Sequence, residues 1–154
     1  MPRRVAETPK VMIQSARFSS RYATGLDDRP HVRESFPAVA ASIPLARSVV
    51  TEWAEEAGAD GEQVDQIRLA VSEALTNVVL YAYPWRTGEI HVTSRMAGNE
   101  LWVLIADSGC GIHAGRDSEG LGLGLALISK MTDGFSVVER SSGGTELRLR
   151  FYVR

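Results

Sequence analysis

The order of elements along this 154-residue chain predicts an α+β protein, a two-layer α/β sandwich with helices stacked on a sheet. Three observations carry the prediction. Two helical patterns come first, between about residues 42 and 83. Strand-like segments follow, interrupted by a single helix. The strict alternation of strand and helix that builds a parallel sheet is missing.

Residues 1–32 mix Arg, Pro, Ser and Asp without periodicity, and six basic residues against three acidic ones give them a formal charge of +3. They are expected to form a flexible N-terminal extension, with a short strand at 11–13, and the folded domain to span 33–154. Glu34, Ser35 and Phe36 fit an edge strand. Ser42 stands where it would cap a helix running to about Ala57, with Pro44 tolerated in the first turn. Leu45, Val49, Val50 and Trp53 recur there at helical spacing, and Gly58 ends the helix.

Asp60 caps the second helix, expected to continue to about Tyr83, where Pro84 stops it. Val64, Ile67, Val71, Leu75 and Val78 form its buried stripe. Strands are expected at 89–96 and 100–106 around a turn at 97–99. The run Leu101-Trp-Val-Leu-Ile105 is apolar throughout, as in a strand covered on its faces. The segment 108–119 is loop chemistry rich in Gly, Asp and Ser, and a helix follows from about 121 to 132. Strands at 135–140 and 145–153 close the chain as a hairpin around Ser141-Ser-Gly-Gly144.

A net charge of −2, with 44% hydrophobic and 23% charged residues, is the composition of an ordinary soluble domain. It provides no overall field for direct nucleic-acid binding or for an anionic membrane. The single cysteine, Cys110, excludes an intrachain disulfide and fits a reducing compartment. The stretch 36–50 holds two prolines and Arg47, so it cannot span a bilayer, and no apolar signal region follows Met1-Pro-Arg-Arg. A cytoplasmic location is expected.

The chemistry concentrates in three segments. Glu73 and Asn77 lie four residues apart and share one helix face, on a flank of the buried stripe. A carboxylate and a carboxamide oxygen so placed can hold a hydrated divalent cation and activate a hydroxyl beside it. Asp107 ends a strand and opens Asp107-Ser-Gly109-Cys-Gly111-Ile112, where a carboxylate can accept a hydrogen bond from an exocyclic amine and the glycines admit a planar base. Gly120-Leu-Gly122-Leu-Gly124 opens a helix, whose free N–H groups suit phosphate. Each segment also has a plainer reading: a solvated helix flank, a turn, a flexible helix start. Their order and their elements favour the joint one.

With these boxes the chain resembles the GHKL ATPase superfamily, and within it the small anti-sigma-factor serine/threonine kinases of partner-switching systems. The resemblance covers about residues 34–153. It rests on Glu73-Ala-Leu-Thr-Asn77 with Tyr81-Ala-Tyr83-Pro84, on Asp107 to Ile112, on Gly120 to Ile128 with Met131-Thr-Asp133, and on Gly143-Gly-Thr-Glu-Leu-Arg148. It implies a Bergerat-type fold, a mixed sheet covered by helices on one face. It also implies ATP and Mg2+ as cofactors, with Asn77 on the magnesium and Glu73 as base for the acceptor hydroxyl. Asp107 would read the adenine amino group, with Gly109, Gly111 and Ile112 against the base. Residues 112–121 would form a short lid, with Gly122, Gly124 and Leu125 near the phosphates and Thr145 supporting Asp107 through a water. The partners implied are an anti-anti-sigma protein of the STAS type and a sigma factor, with a homodimer expected. The alternative is a non-catalytic ATP-binding anti-sigma module of the same fold.

Other nucleotide folds fit less well. Glu139 lies about 20 residues beyond Gly120, as dinucleotide recognition asks, but Gly115-Arg-Asp-Ser-Glu119 cannot be the strand that must precede the glycines. No Gly-Lys-Ser/Thr occurs, so a P-loop is absent. His31, His91 and His113 lack metal-ligand spacing, and residues 1–32 leave no room for the paired helices of a histidine kinase.

Overall fold

A computed structural model of the chain describes residues 31–110 and 119–153. The expected extension and its strand at 11–13 lie almost wholly outside that range. The elements are β1 (Val32–Pro37), α1 (Ser42–Glu56), α2 (Gly61–Asn77), a π-helical segment (Val78–Ala82), β2 (Glu89–Ala97), β3 (Glu100–Asp107), α3 (Glu119–Met131), β4 (Gly134–Glu139) and β5 (Thr145–Tyr152). The five strands form one sheet in the order β1-β2-β3-β5-β4, which puts β3 at its centre.

The two-layer α+β arrangement is the expected one, but the sheet is not mixed: every described pair of neighbouring strands is antiparallel. β3 and β4 run in the same direction and would pair in parallel if they were adjacent. The tight turn after β4 folds β5 back between them, and the parallel ladder is lost.

Alternation along the strands sends one set of side chains to the helices. Val92, Ile105 and Leu147 form one row across β2, β3 and β5, and Ser94, Val103 and Leu149 form the next. They meet Val50, Trp53 and Ala54 of α1, Ile67, Val71 and Leu75 of α2, and Ile128 of α3 in a single core. Each large aliphatic side chain buried there contributes about 1.5–3 kcal/mol. The expected α2 stripe is buried as read, from Val64 to Val78.

The second face of the sheet corrects one expectation. Trp102 and Leu104 point away from the helices and are only half-buried. The stem of Arg150 shields that side, its guanidinium 5.9 Å from the Trp102 ring and 5.3 Å from Tyr152. An apolar run therefore did not mean helices on both faces.

The helix ends show local chemistry at work. Asp60 accepts from the Gln63 main-chain N–H at 2.8 Å while the Gln63 side chain accepts from Asp60 N at 3.3 Å, a reciprocal capping box. Ser42 does not cap α1: Ala41 holds that position, and Ser42 is the buried first helical residue. Leu45 is 61% exposed, because the inward face runs through Ala46, Val50, Trp53 and Ala54. One residue of offset turns a side chain by about 100° on a helix. Gly58, at φ +105, ends α1 as expected.

Ser94 is fully buried in this core, and its hydroxyl has no hydrogen-bond partner among the described residues. Ser94→Ala removes an unsatisfied polar atom, so it should leave stability unchanged or raise it by up to about 1 kcal/mol. Ile67→Ala, at a fully buried apolar site, should cost about 2–5 kcal/mol. Urea unfolding of the two variants beside the native protein checks both values.

Candidate active site

Asp107 ends the central strand with only 6% of its surface exposed. Its Oδ1 accepts from Gly109 N at 2.9 Å and from Thr145 N at 3.3 Å. Two chain segments far apart in sequence thus converge on one oxygen, and Oδ2 is the oxygen that can meet a donor from a ligand. Burial raises the pKa of the carboxyl above its ordinary value. The N–H groups of Gly109 and Thr145 oppose that rise, as do the charges of Arg140 and His91.

The peptide around Asp107 is clamped from several sides. Arg140 donates from Nη1 to Asp107 O at 2.8 Å and to Ser108 Oγ at 3.2 Å. Tyr83 accepts from Ser108 N at 2.8 Å and donates its hydroxyl proton to Glu89 O at 2.7 Å. Arg86 donates to Ser108 O at 2.6 Å, its guanidinium 5.7 Å from the Tyr83 ring. Gly144, at φ +90, lies so close that a Cβ on it would stand 2.0 Å from Asp107 O.

Glu73 and Asn77 lie one turn apart on α2, both half-buried. α3 crosses them at Gly124: a Cβ there would lie 3.3 Å from Asn77 Oδ1 and 3.4 Å from Glu73 Oε2. Both oxygens, with Asn77 Nδ2 at 3.4 Å, therefore lie close to one point beneath α3. They are hard donors of the kind magnesium takes, and phosphate and water oxygens would have to complete a coordination shell. Among the described residues no group of three or more His, Cys, Asp or Glu could hold a metal alone.

The π segment Val78–Ala82 links the two ends of the site. It replaces the last turns of the long helix the sequence predicted, starting directly after Asn77. Ala82 O accepts from Cys110 N at 2.9 Å, and Tyr81 O lies 3.4 Å from the Cys110 thiol. A Cβ on Gly109 would stand 2.1 Å from Ala82 O, so the loop after Asp107 rests directly on this segment. Segments of this kind recur at functional sites.

The structure thus groups Glu73, Asn77 and Gly124 at one end, and Asp107, Gly109 and Thr145 at the other. Thr145 supports Asp107 directly, through its main-chain N–H. Gly120, Gly122 and Gly124 lie inside α3 rather than ahead of it, and Leu125 is partly buried against the core. Gly111, Ile112 and most of the expected lid lie outside the described residues. Tyr83, Arg86 and Arg140 carry no recognisable role in the sequence alone. Their side chains act on main-chain atoms 22 to 33 residues away, and no local pattern reports that.

Comparison with known proteins bears on the family and the fold. The family model described as "Histidine kinase-like ATPase domain" matches residues 36–151. An anti-sigma F factor from Thermoanaerobacter sp. (strain X514) is 27% identical over 120 residues, which cover 71% of this chain and 84% of that protein. The serine-protein kinase RsbW of Bacillus thuringiensis (strain Al Hakam) is 26% identical over 138 residues, 80% of this chain and 86% of the relative. A crystal structure of RsbU and RsbW domains from Mycobacterium tuberculosis superposes with a TM-score of 0.63 at 23% identity. That match covers 80% of this chain and 32% of the solved one, and it bears on the fold alone.

Two outcomes follow from the site's packing. Because the folded state raises the Asp107 pKa, the folded protein holds that proton more tightly than the unfolded chain does. Its contribution is fully present below the ordinary carboxylate range and is lost as pH rises through the folded pKa. Asp107→Asn keeps an oxygen for both main-chain donors and removes the charge. The ligand-free variant should therefore melt no lower than the native protein at neutral pH, with the difference in its favour growing from about pH 4 upward. Melting curves across pH decide this. Gly109→Ala drives a Cβ into the Ala82 carbonyl and should cost about 1–3 kcal/mol, read by urea unfolding.

Proposed function

The chain belongs to the histidine kinase-like ATPase domain family, and from that premise we propose that it is an ATP-dependent serine/threonine protein kinase. Its substrate would be a small anti-anti-sigma protein of the STAS type, and the same chain would act as an anti-sigma factor in a partner switch. The observation that carries this reading is the convergence of Glu73 and Asn77 on one point beneath Gly124, while Asp107 waits at the other end of the π segment. The names of the relatives, anti-sigma F factor and serine-protein kinase, support the class of partner.

Asp107 Oδ2 accepts a hydrogen bond from the exocyclic amine of adenine, a contact that guanine, with a carbonyl there, does not make. Asn77 would supply the protein oxygen to magnesium, whose charge would offset that of the phosphates. Glu73 orients the acceptor hydroxyl and takes its proton as the oxygen attacks the γ-phosphorus. The bond from that phosphorus to the bridging oxygen breaks, and ADP leaves with the electron pair. Phosphoryl transfer asks for this positioning and little more. A carboxylate beside the magnesium residue has no task in a protein that only binds nucleotide, and this favours the kinase over a non-catalytic module.

No helix among the described residues is long and apolar enough to cross a membrane, in keeping with cytoplasmic action. A homodimer is part of the same proposal.

ATP with magnesium should raise the stability of the native protein by about 2.7 kcal/mol at a hundredfold excess over the dissociation constant. Asn77→Ala should remove the magnesium-dependent part of that gain. Glu73→Gln should keep nucleotide binding and the partner complex while lowering phosphate transfer by about 10²–10⁴-fold. Labelled ATP incubated with the protein and STAS-domain proteins from the same genome is the deciding trial. Stable complexes without transfer to any partner would establish the non-catalytic module instead.

A further inference from the structure

We propose that Arg140 is a positioning residue for base recognition, pinning the Asp107–Ser108 peptide to the turn between β4 and β5 so that the carboxylate meets the base amine in one fixed orientation. The inference rests on the reading of Asp107 as the base-binding residue and adds a second residue that controls it. Arg140 reaches 33 positions back along the chain to bond Asp107 O at 2.8 Å and Ser108 Oγ at 3.2 Å. Its own backbone closes the turn at both ends: Arg140 N donates to Gly144 O, and Gly143 N donates to Arg140 O, each at 3.0 Å. The same turn delivers Thr145 N to Asp107 Oδ1 and sets Gly144 against Asp107 O. The corner 140–145 therefore grips Asp107 through its carboxylate, its carbonyl and the next side chain. Both bonds leave one nitrogen, Nη1, and the planar guanidinium fixes the direction of its N–H groups where an ammonium on a flexible stem does not.

The corner also acts on the ionisation of Asp107. The charged groups around the carboxylate are His91 on β2, Arg140 at the end of β4, and Arg86 from the connection before β2, which holds Ser108 O. Burial favours the protonated carboxyl, and Arg140 precedes His91 among the charges that oppose it. A protonated Asp107 would present a donor where the adenine amine also donates. Loss of Arg140 should therefore weaken adenine binding most in acid, where the carboxyl regains its proton first.

The test is calorimetric titration of ADP and GDP into the full-length native protein, Arg140→Gln and Arg140→Lys, from about pH 5.5 to pH 8.5. Arg140→Gln should bind ADP severalfold more weakly than native at the acid end, and the ratio should shrink toward the alkaline end. Arg140→Lys, which keeps the charge and loses the planar frame that aims Nη1, should keep the native pH profile while discriminating less between ADP and GDP. A native-to-Gln ratio that is the same at every pH, including a ratio of one, overturns the proposal; a merely structural arginine would give that result. Should Arg140→Gln fail to fold, a lysine variant with native affinity and native discrimination overturns it equally. Failure of the native protein to bind ADP at all would remove the reading of Asp107 itself. A pH-independent ratio in variants that do bind ADP removes only the role of Arg140.

Discussion

A carboxylate buried at the end of the central strand must be compensated, and much of the site is arranged around that requirement. Asp107 gives up most of its hydration, so its oxygens need donors from the protein. They come from the loop that follows it and from the first residue of β5. The carbonyl of the same residue takes a guanidinium from the end of β4. Three segments that meet nowhere else in sequence are drawn to one residue, and the insertion of β5 beside β3 is what makes this possible. If β4 lay next to β3 instead, the turn carrying Arg140 and Thr145 would not reach Asp107 from the same side.

The two halves of the site are coupled through main-chain atoms. The helix bearing Glu73 and Asn77 changes to π geometry immediately after Asn77, and carbonyls at the end of that segment receive the loop that follows Asp107. A displacement of the loop would be felt at the helix end with no side chain as intermediary. Tyr83 strengthens the link, since its hydroxyl joins the strand start at Glu89 to Ser108. The end that would take the base and the end that would take phosphates form one packed unit. The glycine at position 109 matters less for room beside a base than for seating the loop on Ala82.

Helix α3 brings the other long-range contact. Three glycines in its first turns lower its intrinsic stability by about 1 kcal/mol each relative to alanine. At Gly124 the helix lies close against Asn77 and Glu73, where a Cβ would come within 3.3–3.4 Å of their end groups. Family membership and the modest identity to anti-sigma and serine-kinase relatives fit a shared fold.

What the sequence determined by itself was whatever depends on neighbours in the chain. Helical and alternating periodicity placed the three helices and five strands, Asp60 marked a helix start, and the Glu73–Asn77 spacing set both side chains on one face. Local signals failed where two registers or two faces were close in energy, as with Ser42, Leu45 and the outer side of Trp102. Only the tertiary structure decided that the sheet is antiparallel throughout, since the position of β5 depends on which strand it pairs with and not on its own pattern. The π segment was equally illegible: Val78-Val-Leu-Tyr-Ala82 reads as ordinary helix, and contact with the loop at Gly109 and Cys110 distinguishes it. Tyr83, Arg86 and Arg140 became visible for the same reason, because a hydrogen bond to a distant main-chain atom leaves no trace in local sequence and exists only once the fold has brought the two ends together.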